Sequence, residues 1–258
     1  MKIAYDNLYS SDNTLTATNE NTNFSVSNVY HRFLALPFRS LDNTETEIEL
    51  VFSTTIEGIK DLTVFHMLNS NIKYSMKIQT YTYLDVLKGE LQITDIGSDN
   101  LTVYFDPDNV IFQDVGKVKL IIAADISVDY FEIGSLFIGD SLDFPYIKTP
   151  SIKEKLKGSF KKTNTGQITG AAYVNLKTFG VDVKSIDSDK KSEIESFLLN
   201  VNINKPFFLD VYDYSLYDQK KASIDFNTTY VNLVKFGTWK KDTGKFLYNI
   251  DFDFEECK

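Results

Sequence analysis

The chain has 258 residues, enough for one large domain or two ordinary ones, and its 43% apolar and 24% charged residues are those of a globular protein. The net charge of −9 is unevenly placed: residues 1–147 hold 9 Lys+Arg against 21 Asp+Glu, and residues 148–258 hold 18 against 15. The acidic first half argues against nucleic acid, whose phosphates need a basic footprint. The single cysteine, Cys257, excludes an internal disulfide and argues against a structural metal site.

No run approaches the ~20 apolar residues of a membrane span. The opening MKIAYDNLYSSDN lacks the apolar stretch of a secretory signal, so the expectation is a chain made in the cytoplasm. The 20 Phe and 15 Tyr favour strands and large contact areas.

The first ~40 residues are polar, with short strands expected at Thr14–Ala17 and Asn23–Val26. Pro37 argues against a central strand around Phe38. Glu45–Phe52 and Lys73–Gln79 alternate as half-buried strands do, and Ile59–Leu68 is apolar enough for a central one. Residues 81–100 read as a hairpin or a long loop. Leu101–Phe105 is a strand ended by Asp106-Pro107-Asp108, and Lys117–Val128 and Tyr130–Ile138 are strands that follow. About eight short strands with polar turns predict a β-sandwich over residues 1–147.

Residues 148–162 carry six Lys and one Glu and read either as a linker or as a basic edge strand. Ile168–Phe179 reads as a strand. A helix follows, opened by Asp187-Ser188 as caps, with Ile194, Phe197, Leu198 and Val201 on one stripe. Pro206 forbids its continuation. Strands return at Phe207–Tyr212, Ala222–Asn227, Tyr230–Phe236 and Phe246–Phe254. The fold class expected is mainly β: a jelly-roll sandwich, then a strand-rich α+β domain with one helix over 148–258.

Chemistry is hard to find. The two histidines, His31 and His66, have no partner motif, and His66 lies in an apolar strand where a core role is commoner. No G-x-S-x-G, H-E-x-x-H or C-x-x-C occurs. Gly134 and Gly139 make no phosphate loop and suit a bulge or a close backbone approach. Asp106 and Asp108 lack the rest of a calcium loop, and Asp251, Asp253 and Glu255 read as a solvated strand face. The expectation is no enzyme, no cofactor and no metal.

Five segments together resemble the N-terminal domain of tail proteins from long-tailed bacteriophages: Phe38-Arg39-Ser40, Leu62–Asn69, Tyr74–Ile78, Lys117–Ile122 and, most specifically, Tyr130–Gly139 (YFEIGSLFIG). Pro206–Val211, the stretch near Trp239 and the acidic end Phe254-Glu255-Glu256 extend the resemblance. The family often has Trp at the position of Phe38, and its His-Asn pair is spread here across His66 and Asn69.

The resemblance implies a galactose-binding-like, discoidin-like jelly roll and a structural place in the virion, at a tail tip or baseplate. The partners implied are copies of the chain in a ring and other tail proteins. Candidate assembly contacts are Phe207, Phe208, Tyr212, Tyr214 and Trp239. The alternative is a carbohydrate-binding module touching host-surface glycans, with Asn69, Asn71, Tyr81 and Tyr83 as candidate contacts. A polysaccharide hydrolase with paired carboxylates is a third reading, for which no pair is identifiable.

Overall fold

The computed structural model describes residues 1–8, 12–30, 37–59, 61–67, 74–96, 100–105, 110–123, 128–144, 151–162, 168–201, 206–210, 222–225, 229–242 and 247–257. The chain is mainly β, and it forms two compact units: 6–141 with 213–228, and 1–5 with 142–212 and 229–258. Strands are numbered in chain order, and every pairing described is antiparallel.

The larger unit is a sandwich. One sheet has the order β2 (Thr14–Ala17), β4 (Thr46–Gly58), β9 (Gln113–Ile122), β6 (Tyr74–Tyr81), β7 (Leu87–Ile96). The other contains β10 (Glu132–Asp143), β5 (Asp61–Met67), β8 (Asn100–Phe105) and β14 (Ala222–Asp225), with β3 (Phe38–Arg39) beside β10. Period-two alternation puts Ile48, Leu50 and Phe52 of β4, Met76 and Ile78 of β6, and Val118, Leu120 and Ile122 of β9 inside. They join Leu62, Leu101, Val103, Ile133, Leu136 and Ile138 of the facing sheet in one core. Burial of each such side chain is worth about 1.5–3 kcal/mol, which fixes the register, since a one-residue slip would expose the whole set.

The segment expected as a strand at Asn23–Val26 instead leads into a 3-10 turn, Val26–Tyr30. The Glu20 carboxylate accepts from the Val26 N–H at 2.7 Å, and the Asn21 carbonyl accepts from the Phe24 N–H at 2.9 Å. Those local bonds compete with a ladder and win.

The smaller unit has the strand order β11 (Ser151–Lys162), β12 (Ile168–Ile186), β17 (Tyr248–Glu256), β15 (Thr229–Phe236), β13 (Phe207–Asp210), β1 (Lys2–Asn7), with β16 (Lys240–Lys241) also on β17. One helix is found among the described residues, α1 (Ser188–Asn200). Asp187 caps it by accepting from the Lys190 N–H at 2.8 Å. Ile194, Phe197 and Val201 are buried with Phe179, Val181, Val183, Phe207, Phe252 and Phe254. Phe197 meets Tyr5 and Phe207 edge-on, with ring centroids at 5.0 and 5.4 Å.

The lysine-rich stretch that the sequence left open between linker and edge strand is β11, a strand from Ser151 onward.

Candidate functional site

The segments that carry the phage-tail resemblance meet inside the larger unit. Arg39 lies opposite Glu132, and Phe38 opposite Ile133, in the β3–β10 register. The Arg39 guanidinium pairs with the Glu132 carboxylate, which is only 4% exposed. It also lies over the rings of Phe24 at 4.1 Å and Tyr130 at 4.9 Å. Ser40 Oγ accepts from the Phe131 N–H at 2.7 Å, and the Ser40 N–H donates to the Phe131 carbonyl at 2.9 Å. Arg-Ser and Glu-Ile-Gly are therefore two halves of one internal clip, which holds β3 to β10.

Two of the glycan candidates lie at the β6–β7 hairpin. Its turn is closed by the Thr82 N–H donating to the Val86 carbonyl at 2.9 Å, with Asp85 at φ 64°. Tyr81 is half-buried. Its hydroxyl donates to Gln79 Oε1 at 2.8 Å, and Lys117 Nζ lies 4.3 Å from its ring centroid. Tyr83 stands out at 63% exposure, and Leu84, Val86 and Leu87 beside it are exposed too. Gly116 allows this arrangement, because a Cβ there would overlap the Tyr83 backbone. Asn69 and Asn71 lie outside the described residues.

Lysines brace the hairpin from β9. Lys117 pairs with Asp85 and, at 3.4 Å, with Glu49. Burial lowers the Lys117 pKa, but Asp85 and Glu49 outweigh it and hold the ammonium above the usual lysine value. Lys119 is raised chiefly by its 2.9 Å hydrogen bond to Glu47, against a smaller opposing effect of burial. These charges satisfy one another across the outer sheet face.

Of the assembly aromatics, Phe207 and Phe208 are corrected by the fold. Both are buried on β13, which is covered on both faces, so neither is offered to a partner. Trp239 is half-buried, with its ring centroid 6.1 Å from that of Tyr248 and Lys191 Nζ 5.3 Å from its own. Tyr212 and Tyr214 lie outside the described residues.

The sequence left residues 148–162 open between a linker and a basic edge strand, and the structure makes Ser151–Lys162 part of a long ribbon. β12 pairs with β17 only over Thr178–Ile186. The β11–β12 ladder continues past that point, from Glu154↔Lys177 to Lys162↔Ile168. Over this reach the two strands pair with each other in the described ladders, with the Lys177 N–H donating to Glu256 Oε2 at 2.8 Å and Lys155 Nζ to Glu255 Oε2 at 3.0 Å, and β11 lies at the end of the strand order. A two-stranded ribbon is marginal in water, and its outer N–H and C=O groups are a template for another strand. The run of lysines was the visible signal, but lysine content alone does not separate an edge strand from a linker.

No group of three metal-ligating side chains is found among the described residues. At the loop after β3, the Asn19 side-chain amide donates to Asp42 Oδ1 at 2.8 Å and to Thr44 Oγ1 at 3.1 Å. The Thr44 hydroxyl and N–H, then Asn19, hold the Asp42 carboxyl below its ordinary pKa.

No family model matches the chain. No curated protein matches it. Among solved structures it is similar to a His 62 mutant of the lectin-binding domain of lectinolysin complexed with Lewis b, at 7% identity and a TM-score of 0.42, covering 53% of this chain and 96% of that one. It is also similar to a Streptococcus pneumoniae fucose-binding module, at 12% identity, TM-score 0.42, and 52% and 98% coverage. A family 32 carbohydrate-binding module from Clostridium perfringens in complex with galactose gives 15% identity, TM-score 0.41, and 54% and 98% coverage. The sandwich itself is established by the strand pairing and core described above.

Proposed function

We propose that the chain is a non-catalytic structural component of a phage tail, near the tip or baseplate, that assembles by strand contacts between subunits. The observation that carries this reading is the β11–β12 ribbon, which runs past the end of the β12–β17 ladder at Thr178, beyond which only the Lys177 N–H to Glu256 and Lys155 to Glu255 are bonded to β17 among the described residues. Unmade ladder bonds of that length are satisfied when another strand adds to them. The smaller unit supplies the assembling edge, and the sandwich is the peripheral or adaptor module. The phage-tail assignment itself comes from the Phe38-Arg39-Ser40 and Tyr130–Gly139 resemblance. Light scattering and negative-stain images of the full chain test the reading. Closed rings or stacked oligomers support it, and a monomer at every concentration removes it.

A second reading is glycan binding by the sandwich, favoured by Tyr83, an exposed ring at a hairpin tip beside Tyr81, Asp85 and Lys117. A ring so placed can stack on a sugar face while neighbouring polar groups orient it. Fucose and galactose are the first probes to try, because the similar solved structures include a fucose-binding module and a family 32 module in complex with galactose. Titration of the full chain with each sugar, beside Tyr83→Ala, decides: saturable binding lost in the variant supports this reading, and no heat with either sugar counts against it.

A further inference from the structure

We infer that Trp239 and Tyr248 form a corner that binds a quaternary ammonium group, and that Lys191 of the same chain occupies it as a displaceable stand-in. The site belongs to the smaller unit and is independent of the assembly and glycan readings.

Two short strands build the walls. Lys240 stands opposite Asn249, and Lys241 opposite Tyr248. Trp239, one residue before β16, is thereby a diagonal neighbour of Tyr248, a spacing that aromatic side chains span. The ring centroids are 6.1 Å apart and the planes meet at 79°, so the rings stand as two sides of a corner. Both are packed against the core of the smaller unit, which holds them in place. The third side comes from α1. Lys191 is three residues before Ile194 and seven before Leu198, on the stripe that packs against the core. Its Nζ lies 5.3 Å from the Trp239 centroid and 5.2 Å from that of Tyr248.

Two rings and an acid attract a cation. The ring faces carry negative potential, and the Glu195 carboxylate, one helical turn on, accepts from Lys191 Nζ at 2.7 Å. The Arg39 clip has the same ingredients but not the same access. Its Glu132 side chain is 4% exposed, whereas those of Lys191 and Glu195 are 25% and 44% exposed. A lysine tied only by an i,i+4 pair and two ring contacts on a helix surface is displaced at small cost.

The distances name the ligand class. A methyl carbon stands ~1.5 Å from its nitrogen and rests on a ring at about 3.5–4.0 Å, which puts a quaternary nitrogen about 5 Å from each ring. That is the spacing Lys191 Nζ keeps from both centroids. A primary ammonium is compact and strongly hydrated, and fills such a corner poorly. A trimethylammonium group has no N–H to satisfy and meets both walls with its methyls. Lys240 and Lys241, both exposed on β16, lie beside the corner, where an ester phosphate attached to the ammonium would be held.

The chain has one tryptophan, so its fluorescence reports on this corner. The full chain is titrated with choline and with dimethylbutanol, its neutral carbon isostere, at constant ionic strength. A saturable change with choline and none with dimethylbutanol is expected. Lys191→Ala empties the corner and should bind choline several-fold more tightly; adding Glu195→Gln to it should reverse most of that gain. Phosphocholine and Nε-trimethyllysine then separate the two sources of the group. Tighter binding of phosphocholine than of choline assigns a phosphorylated headgroup, and tighter binding of trimethyllysine assigns a modified peptide. Melting curves like the parent's show that the variants fold, and the titration of the parent stands without them. If choline gives no saturable change in the parent or in Lys191→Ala, or if dimethylbutanol matches it, the inference is overturned. It is overturned too if Lys191→Ala binds choline no more tightly than the parent.

Discussion

Arg39 and Glu132 stand opposite each other on antiparallel strands, and the guanidinium that neutralises Glu132 also covers the rings of Phe24 and Tyr130. This joins two sequence segments ninety-three positions apart. Removing the arginine leaves a buried carboxylate without its partner. Arg39→Ala is therefore expected to cost about 3 kcal/mol, at the lower end for a buried pair because Arg39 is partly exposed. The Arg39→Ala/Glu132→Gln double variant should recover part of the loss. Urea unfolding monitored by tryptophan and tyrosine fluorescence measures both.

The β6–β7 hairpin depends on a close backbone approach at Gly116. Gly116→Ala forces a methyl against the Tyr83 backbone, which cannot yield as a side chain can. A loss of about 1–3 kcal/mol is expected, as for other overpacked sites. Gly89→Ala meets the Ile111 side chain instead, which can move, so its cost should be smaller. Thermal melts of the two variants under one condition rank them.

Alkaline pH should weaken the sandwich. Lys117 and Lys119 both have folded pKa values raised above the ordinary 10.5. A raised lysine contributes stability that is complete below its unfolded pKa and is lost as pH rises through the folded one. The expected result is a fall in unfolding free energy above about pH 10.5, smaller in a Lys119→Met variant. Urea titrations at a series of alkaline pH values check the slope.

Helix α1 has one well-defined start. Asp187→Ala removes the acceptor of the Lys190 N–H and is expected to cost about 1 kcal/mol, while Asp187→Ser should retain most of the stability. Chemical denaturation of the pair provides the comparison.

Local periodicity made much of this legible. The Ile194/Phe197/Val201 stripe and the Asp187 cap mark α1, and β4, β6 and β9 alternate with little ambiguity. β1 was invisible because Lys2–Ala4 pairs with Phe208–Asp210, some two hundred positions away, and its six residues carry no turn signal of their own. β12 was read as ending at Phe179, but Gly180 continues the ladder, and Val181 and Val183 extend its buried face to Ile186. Phe207 and Phe208 looked like contacts because aromatic residues suit both cores and interfaces; only the neighbours on both sides of β13 decide between the two. The ribbon was hidden for a related reason. Its openness depends on where β17 stops pairing with β12, which is a property of two distant segments.

Assembly through the ribbon is tested most directly by trimming it. Glu154 and Lys177 face each other across β11 and β12, so residues 155–176 can be replaced by an Asn-Gly turn that closes the shortened hairpin. Sedimentation velocity of the full and trimmed chains, over the same concentrations, gives the answer. The full chain is expected to sediment as an oligomer and the trimmed chain as a folded monomer with a cooperative melt. A trimmed chain that keeps the parent's oligomeric mass would contradict the account.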